Sequence, residues 1–261
     1  MRPHDLGWLA GILEGEGTFV AGPPSSPRCP IVRVEMTDRD VVLRVGALIE
    51  RAVCSPTPRG GNQRTYATAI KGRPAIALML RVAPLLSEVR RAQIRRALRL
   101  TGPRRLPRAA RSPDLHWLAG LLEGEGSFFA KRHGASPGLE MRMCDRATVR
   151  RAADQLGIPR VIRDDTDLKR GWRASYWIKV SGNAALPWLR TLRPLMGERR
   201  GRAIDRALAS WTPTRLWRPP AGCVVAGCVR PHRSRGLCHP HYMRWSRYRA
   251  VGKDPGFRPL R

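Results

Sequence analysis

The chain has 261 residues, 49 basic and 20 acidic side chains, and a formal net charge of +29. Lysine stands only at positions 71, 131, 169, 179 and 253, so arginine supplies nearly all of the excess, and such a charge opposes compaction unless a polyanion lies against it. The 42% hydrophobic content permits a core, but the longest apolar run is six residues, Ala75 to Leu80, which excludes a membrane span.

The first predicted element is a helix over residues 5–16, with Leu6, Leu9, Ala10 and Leu13 on one side. Asp5, Glu14 and Glu16 within it are incompatible with a signal peptide. Strand-like runs follow at 17–22 and 29–36. In the second, Val32, Val34 and Met36 alternate inward against Arg33 and Glu35. A helix at 38–50, a strand pair, and helices near 73–82 and 86–100 complete the unit. The unit then repeats. Residues 5–19, DLGWLAGILEGEGTF, and 114–128, DLHWLAGLLEGEGSF, share twelve of fifteen positions. Met36-Thr-Asp-Arg39 is echoed by Met143-Cys-Asp-Arg146, Tyr66 by Tyr176, and Pro84-Leu85-Leu86 by Pro194-Leu195-Met196.

The second copy is expected to carry a helix at 114–125, strands at 126–132 and 138–143, and a helix at 145–156. A strand then runs from Trp172 to Val180, with helices near 184–191 and 196–210. The predicted fold is α+β: two αββαββα repeats, 1–100 and 114–211, related by a pseudo-twofold axis and joined by a basic linker at 101–113. Each antiparallel sheet would have helices on one face and a polar, Arg-bearing face outward.

The repeated helix has two oddities. Gly11 and Gly15, like Gly120 and Gly124, stand four residues apart in a helix, where each glycine costs roughly 1 kcal/mol relative to alanine. A ridge of small residues lets two helix backbones approach closely, and the equivalent helix of the other copy is the simplest partner. Glu14 and Glu16 also sit at a helix carboxyl end, where the dipole disfavours them. Side-by-side packing would bring Glu16 and Glu125 together. Paired carboxylates raise each other's pKa unless a divalent cation neutralises them, and an all-oxygen donor set suits Mg²⁺.

LAGILEGEG and LAGLLEGEG resemble the two signature helices of single-chain LAGLIDADG homing endonucleases, and the resemblance extends more faintly over residues 5–210. It implies a saddle-shaped sheet from each repeat in the DNA major groove and the motif helices at the inter-repeat interface. It also implies catalytic metal on the last acid of each motif, Glu16 and Glu125. Family members often carry Asp there, and Glu keeps the carboxylate on a longer arm. Glu14 and Glu123, at the preceding acidic position, are expected to be structural. The family's basic residue near the start of the closing helix has candidates in Arg90 and Arg200. The implied activity is metal-assisted hydrolysis of phosphodiester bonds in double-stranded DNA by a monomer. DNA contacts are expected from the outward strand residues Arg33, Lys71, Lys131, Arg142, Arg173 and Lys179.

From residue 212 the composition changes. The basic tail, 212–261, carries eleven cations and one acid, Asp254. Its core, 223–245, contains Cys223-x4-Cys228, nine residues, then Cys238-x2-His241, a tetrahedral Zn²⁺ set in which His241 is preferred by spacing over His232 and His239. The segment is similar to small treble-clef-like zinc modules appended to phage and bacterial nucleases. Scattered cysteines at 29, 54 and 144 fit a reducing compartment, and a cytoplasmic, bacterial or phage-encoded protein is expected. The leading function is a sequence-specific DNA endonuclease with a zinc-bearing DNA-binding appendage. The alternatives are a non-cutting DNA-binding regulator on the same fold, or an intron maturase whose basic surface holds RNA.

Overall fold

The computed structural model describes residues 1–56, 63–103, 105–109, 114–130, 136–164, 173–211 and 221–257. Two compact units divide it, Met1–Thr212 and Pro213–Arg261.

The first unit holds two copies of one arrangement. In the first, α1 (Pro3–Gly15) leads to β1 (Gly17–Val20), β2 (Ile31–Met36), α2 (Arg39–Leu48), β3 (Tyr66–Lys71), α3 (Arg73–Val82) and α4 (Glu88–Ala97). In the second, α5 (Leu115–Glu125) leads to β4 (Gly126–Ala130), β5 (Pro137–Met143) and α6 (Arg146–Gln155). Then come β6 (Ile162–Asp164), β7 (Ser175–Ser181), α7 (Ala185–Leu192) and α8 (Glu198–Ala209). Both sheets are antiparallel, in the orders β1-β2-β3 and β4-β5-β7-β6.

The alternation expected in β2 is present, with Val32, Val34 and Met36 buried and Arg33 exposed. Two helices close each repeat, near the expected bounds, with a Pro-containing 3-10 turn (Ala83–Leu85 or Arg193–Leu195) between them. One expectation needs correction: the second strand pair of the first repeat is reduced. Among the described residues β3 is joined there only by the single bridge Cys54–Ala67, so that sheet has three strands rather than four. Trp172, where the strand ending at Val180 is expected to begin, lies outside the described residues.

Helices α1 and α5 are buried on nearly every side, as a helix at the centre of a domain must be. Their glycines explain how closely they pack. A Cβ on Gly11 would stand 2.1 Å from the Trp117 carbonyl oxygen, and one on Gly120 would stand 2.0 Å from that of Trp8. No side chain fits at either position. The N-terminus of α5 is capped by Asp114, whose carboxylate accepts from the Trp117 N–H at 2.9 Å. That carboxylate also lies where a side chain on Gly7 would go, which accounts for glycine there against His116 in the other copy.

Two arginines stitch the repeats together in a symmetric way. Arg44 lies 3.8 Å from the Trp8 ring centroid and donates to the Leu195 carbonyl at 3.1 Å; Arg151 lies 4.5 Å from Trp117 and donates to the Leu85 carbonyl at 2.9 Å. Each guanidinium stacks on the motif tryptophan of its own repeat and ties it to the partner repeat.

In the second unit, Cys223 donates its N–H to the Arg230 carbonyl and Val224 to that of Gly236. Ser234 and Leu237 exchange hydrogen bonds around a tight turn in which Arg235 and Gly236 both have positive φ, 51° and 76°. The turn feeds directly into α9 (His239–Ala250), with Cys238 as its N-cap. A knuckle, a hairpin and a helix in that order form a treble-clef-like arrangement. Leu237 and Cys238 are the buried hydrophobic residues of this unit among those described.

Candidate active site and metal centre

Each motif helix ends in two glutamates with opposite environments. Glu14 is 1% exposed, and its carboxylate accepts from the Ser87 N–H at 2.7 Å and the Thr148 hydroxyl at 3.1 Å, with Arg151 4.0 Å away. Ser87 is the N-cap of α4. Glu123 is fully buried and accepts from the N–H of Gly197, the N-cap of α8, at 2.7 Å. The acids that looked misplaced at helix C-termini therefore rest against the positive N-terminal ends of other helices. This explains why Glu14 and Glu123 are retained: they lock each closing helix onto its motif helix.

The lock is weaker on the second side. Thr148 is matched in the first repeat by Val41, which has no hydroxyl, and Glu123 Oε1 is buried with no hydrogen-bond partner. Burial pushes Glu123 up to about 7, while the Gly197 N–H and Arg200 pull the other way. Glu14 is also raised, burial outweighing its hydrogen bonds and Arg151.

Glu16 and Glu125 form the second pair. Glu16 is the C-cap of α1, and Glu125 is the last residue of α5. Each side chain crosses to the other helix and lies on its glycine. Glu16 Cγ is 3.0 Å from where a Cβ would stand on Gly124, and Glu125 Cγ is 3.0 Å from that position on Gly15. The second glycine of each motif thus makes room for the opposite carboxylate, a role the spacing alone did not assign. Burial and then the charge of Glu16 raise Glu125, against the opposing pull of Arg90 and Arg200. Burial likewise raises Glu16, with Arg90 and Arg200 opposing. Two half-buried carboxylates that resist ionising next to each other have the chemistry of a divalent-cation site.

Arg90 and Arg200 hold the helix ends that carry this pair. Arg90 donates to the carbonyls of Glu14 at 2.8 Å, Gly15 at 2.6 Å and Gly17 at 2.8 Å; Arg200 donates to those of Glu123 at 3.1 Å and Gly124 at 2.8 Å. Apart from that of Gly17, which opens β1, these are orphan carbonyls of a helix C-terminus, satisfied by a cation. Charge-assisted bonds of this kind contribute about 1.5–3 kcal/mol each when one partner is charged. Arg90→Ala, losing three such bonds, is expected to destabilise the protein by about 4 kcal/mol or more, and Arg200→Ala, with two, by less. Denaturant unfolding of the two variants checks the order.

Two participants leave little trace in the sequence. Arg199 makes a bidentate ion pair with the buried Asp38, its Nε 2.6 Å from Oδ1, and Asp40 accepts from the Glu198 N–H at 2.6 Å. The only available signal is Asp38 itself, inside the Met-Thr-Asp-Arg echo. The other half has Val89 and Ala147 at the matching positions and lacks this clasp. Trp177 falls on the outward face by alternation, with nothing local to single it out. With Ser127, Glu140, Arg142 and Lys179 it lines a concavity of about 280 Å³ that begins at Glu125.

The structure places Arg33, Lys71, Arg142 and Arg173 at exposed positions, and Lys179 partly exposed on β7. Lys131 lies outside the described residues. Several of these cations have acidic partners: Arg33 with Glu35, Arg142 with Asp164 at 2.7 Å, and Lys179 with Glu140 at 3.2 Å. The cationic face is partly neutralised from within.

In the second unit the ligand atoms of Cys223, Cys228, Cys238 and His241 all lie within 4.8 Å of one another. His241 Nδ1 is 3.3 Å from both Cys223 Sγ and Cys238 Sγ, and Cys228 Sγ is 3.8 Å from Cys238 Sγ. A tetrahedral zinc with ordinary bond lengths sets sulfurs about 3.8 Å apart and sulfur and nitrogen about 3.6 Å apart. The four residues therefore fit such an ion. His239 is exposed in the first turn of α9, and neither it nor His232 belongs to the group.

No helix among the described residues is long and apolar enough to cross a membrane. Neither a family model nor a curated protein matches the sequence. Solved structures do. The LAGLIDADG meganuclease I-AabMI bound to uncleaved DNA superposes with a TM-score of 0.54 at 16% identity, over 78% of this chain and 89% of its own. The homing endonuclease I-GzeII in complex with its DNA target matches at 0.53 and 12%, over 78% and 88%. I-LtrWI bound to target DNA matches at 0.54 and 12%, over 80% and 90%. With two motif helices packed through their glycines and an antiparallel sheet after each, the chain has the two-motif, single-chain LAGLIDADG homing endonuclease fold.

Proposed function

We propose that the protein is a sequence-specific double-stranded DNA endonuclease that hydrolyses phosphodiester bonds with divalent metal, Mg²⁺, held by Glu16 and Glu125. The observation that carries this reading is the exchanged pair of carboxylates, each lying on the other motif's glycine. When bound, the cation activates water and neutralises charge developing on the phosphate. Glu16 and Glu125 orient it. Arg90 and Arg200 position the helix ends that present them and add positive potential next to them. Arg33, Lys71, Lys131, Arg142, Arg173 and Lys179 contact DNA, exchanging intramolecular carboxylates for phosphates and base edges where they are paired. Affinity then depends steeply on salt. A monomer suffices, because both carboxylates come from one chain.

The test is incubation with a randomised duplex library and Mg²⁺, followed by sequencing of cut ends. A recurrent cut sequence supports the reading. Tight binding to duplex without cutting identifies a non-cutting regulator, and preferential retention of structured RNA identifies a maturase.

In the tail, Cys223, Cys228, Cys238 and His241 bind one structural Zn²⁺ that replaces the core this short unit lacks. Elemental analysis should find one zinc per chain, and none in Cys228→Ser. A metal-free parent protein would refute the assignment.

A further inference from the structure

The tail unit presents an electrostatic surface of a different kind from the sheets. From Arg230 to Asp254 it holds seven cations against one acid, Asp254 itself, and all seven cations are exposed. Among the described residues none of the seven has a carboxylate partner, and Asp254 is turned onto its own chain, accepting from the Gly256 N–H at 2.9 Å. On the sheets, by contrast, Arg33, Arg142 and Lys179 each face an acid.

Helix α9 has no fully buried residue; Tyr242, Trp245 and Tyr248 are half-buried along one side, and Arg244, Arg247 and Arg249 are exposed, so packing does not account for the arginines. It interleaves Tyr242, Trp245 and Tyr248 with Arg244, Arg247 and Arg249. Two of the three rings, Trp245 and Tyr248, have guanidinium groups against them. Arg235 lies 5.0 Å and Arg249 5.4 Å from the Trp245 centroid, and Arg244 lies 5.4 Å from that of Tyr248. Trp245, with a guanidinium from each of two arginines beside it, is poorly placed for a base to stack on. It instead stiffens the arginines that lean on it, holding them out at fixed positions. Fixed, unpaired guanidiniums suit a regular row of phosphates.

We infer that the zinc unit, through α9 and the Arg235 turn, is a second DNA-binding surface that grips the phosphate backbone of duplex DNA without regard to sequence. This rests on the DNA-cleaving reading only for the choice of polyanion. Zinc would act on it indirectly: bound by Cys238 and His241 together with Cys223 and Cys228, it would tie the start of α9 to the hairpin.

The test measures binding of the full-length chain to a random-sequence duplex without divalent cation, so that cleavage plays no part. Arg244→Ala/Arg247→Ala/Arg249→Ala should weaken binding at least about tenfold at 0.1 M salt. It should also reduce the log–log salt slope by between about two and three, close to 0.9 for each phosphate no longer neutralised. Zinc content, measured on the same sample, should stay at that of the parent. Should the triple variant lose zinc, Arg247→Ala, which removes no ring contact, should still lower the slope by about one. An unchanged slope with zinc retained overturns the proposal. So does tighter binding of single-stranded DNA or structured RNA than of duplex, with the loss confined to those ligands.

Discussion

Gly120→Ala should lower the melting temperature by roughly 10 °C or prevent folding, although alanine is the better helix former by about 1 kcal/mol. Its methyl group would stand 2.0 Å from the Trp8 carbonyl oxygen, and backbone cannot turn aside as a side chain can. Relief requires the two motif helices to separate by an ångström or more along their shared length. That opens gaps among Leu9, Ile12, Leu118 and Leu121, all now fully buried. Overpacking together with those gaps amounts to about 3–5 kcal/mol, and about 2–4 °C per kcal/mol is usual for a unit of this size. Gly11→Ala, facing the Trp117 carbonyl at 2.1 Å, should do the same. Gly124→Ala is the contrasting case. There the nearest atoms to the methyl all belong to the Glu16 side chain, Cγ at 3.0 Å and Oε1 at 3.5 Å, so stability should fall little while cleavage falls much more, the carboxylate having been pushed aside. Thermal unfolding and cleavage rates on the three variants separate the two roles. Equal loss of stability in all three would remove the distinction between packing glycines and carboxylate-bearing ones.

The fold is legible because the chain states its motif twice. Twelve identical positions in fifteen locate two central helices, and the alternation in 31–36 and 139–143 supplies a sheet after each. What escapes is tertiary. Glu14 looks like an acid at the wrong end of a helix, since nothing local shows that the N-terminus of α4, 73 residues further on, comes to meet it. Arg90 and Arg200 stand out by position, but their carbonyl partners depend on the same meeting. The pairing of Arg142 with Asp164 needs β6, a strand of three residues too short to show a period. The cluster of three cysteines and His241 in the tail is readable for the opposite reason. Cysteine and histidine at knuckle spacing declare their grouping in the sequence, because the four residues lie within 19 positions of one another and their meeting does not depend on distant packing. The asymmetry between halves is half visible: Val41 against Thr148 and Val89 against Arg199 are plain once aligned. Their consequence, an unsatisfied Glu123 on one side and an Asp38–Arg199 clasp on one side only, emerges only when the halves are packed together.

Glu16→Gln and Glu125→Gln should each reduce cleavage by about 10³-fold or more, a loss of about 4 kcal/mol in transition-state stabilisation, while target binding changes by less than about threefold. The expected effect on stability has the opposite sign. Both carboxylates are held above their ordinary pKa, mainly by burial and, for Glu125, also by the facing charge of Glu16. In the absence of metal the ionised pair therefore opposes folding at neutral pH. A glutamine of the same shape keeps the packing on Gly124 or Gly15 and removes one of the two charges, so the metal-free variants should melt at or above the temperature of the parent. Added Mg²⁺ should raise the melting temperature of the parent and leave both variants nearly unmoved, because ligand stabilisation scales with the fraction of site bound. Loss of cleavage together with loss of stability would indicate that the two glutamates hold the helices in place rather than holding a cation. Gain of metal-free stability with loss of cleavage and of the Mg²⁺ response would mark a pair of acids kept at a structural cost for the sake of the ion between them.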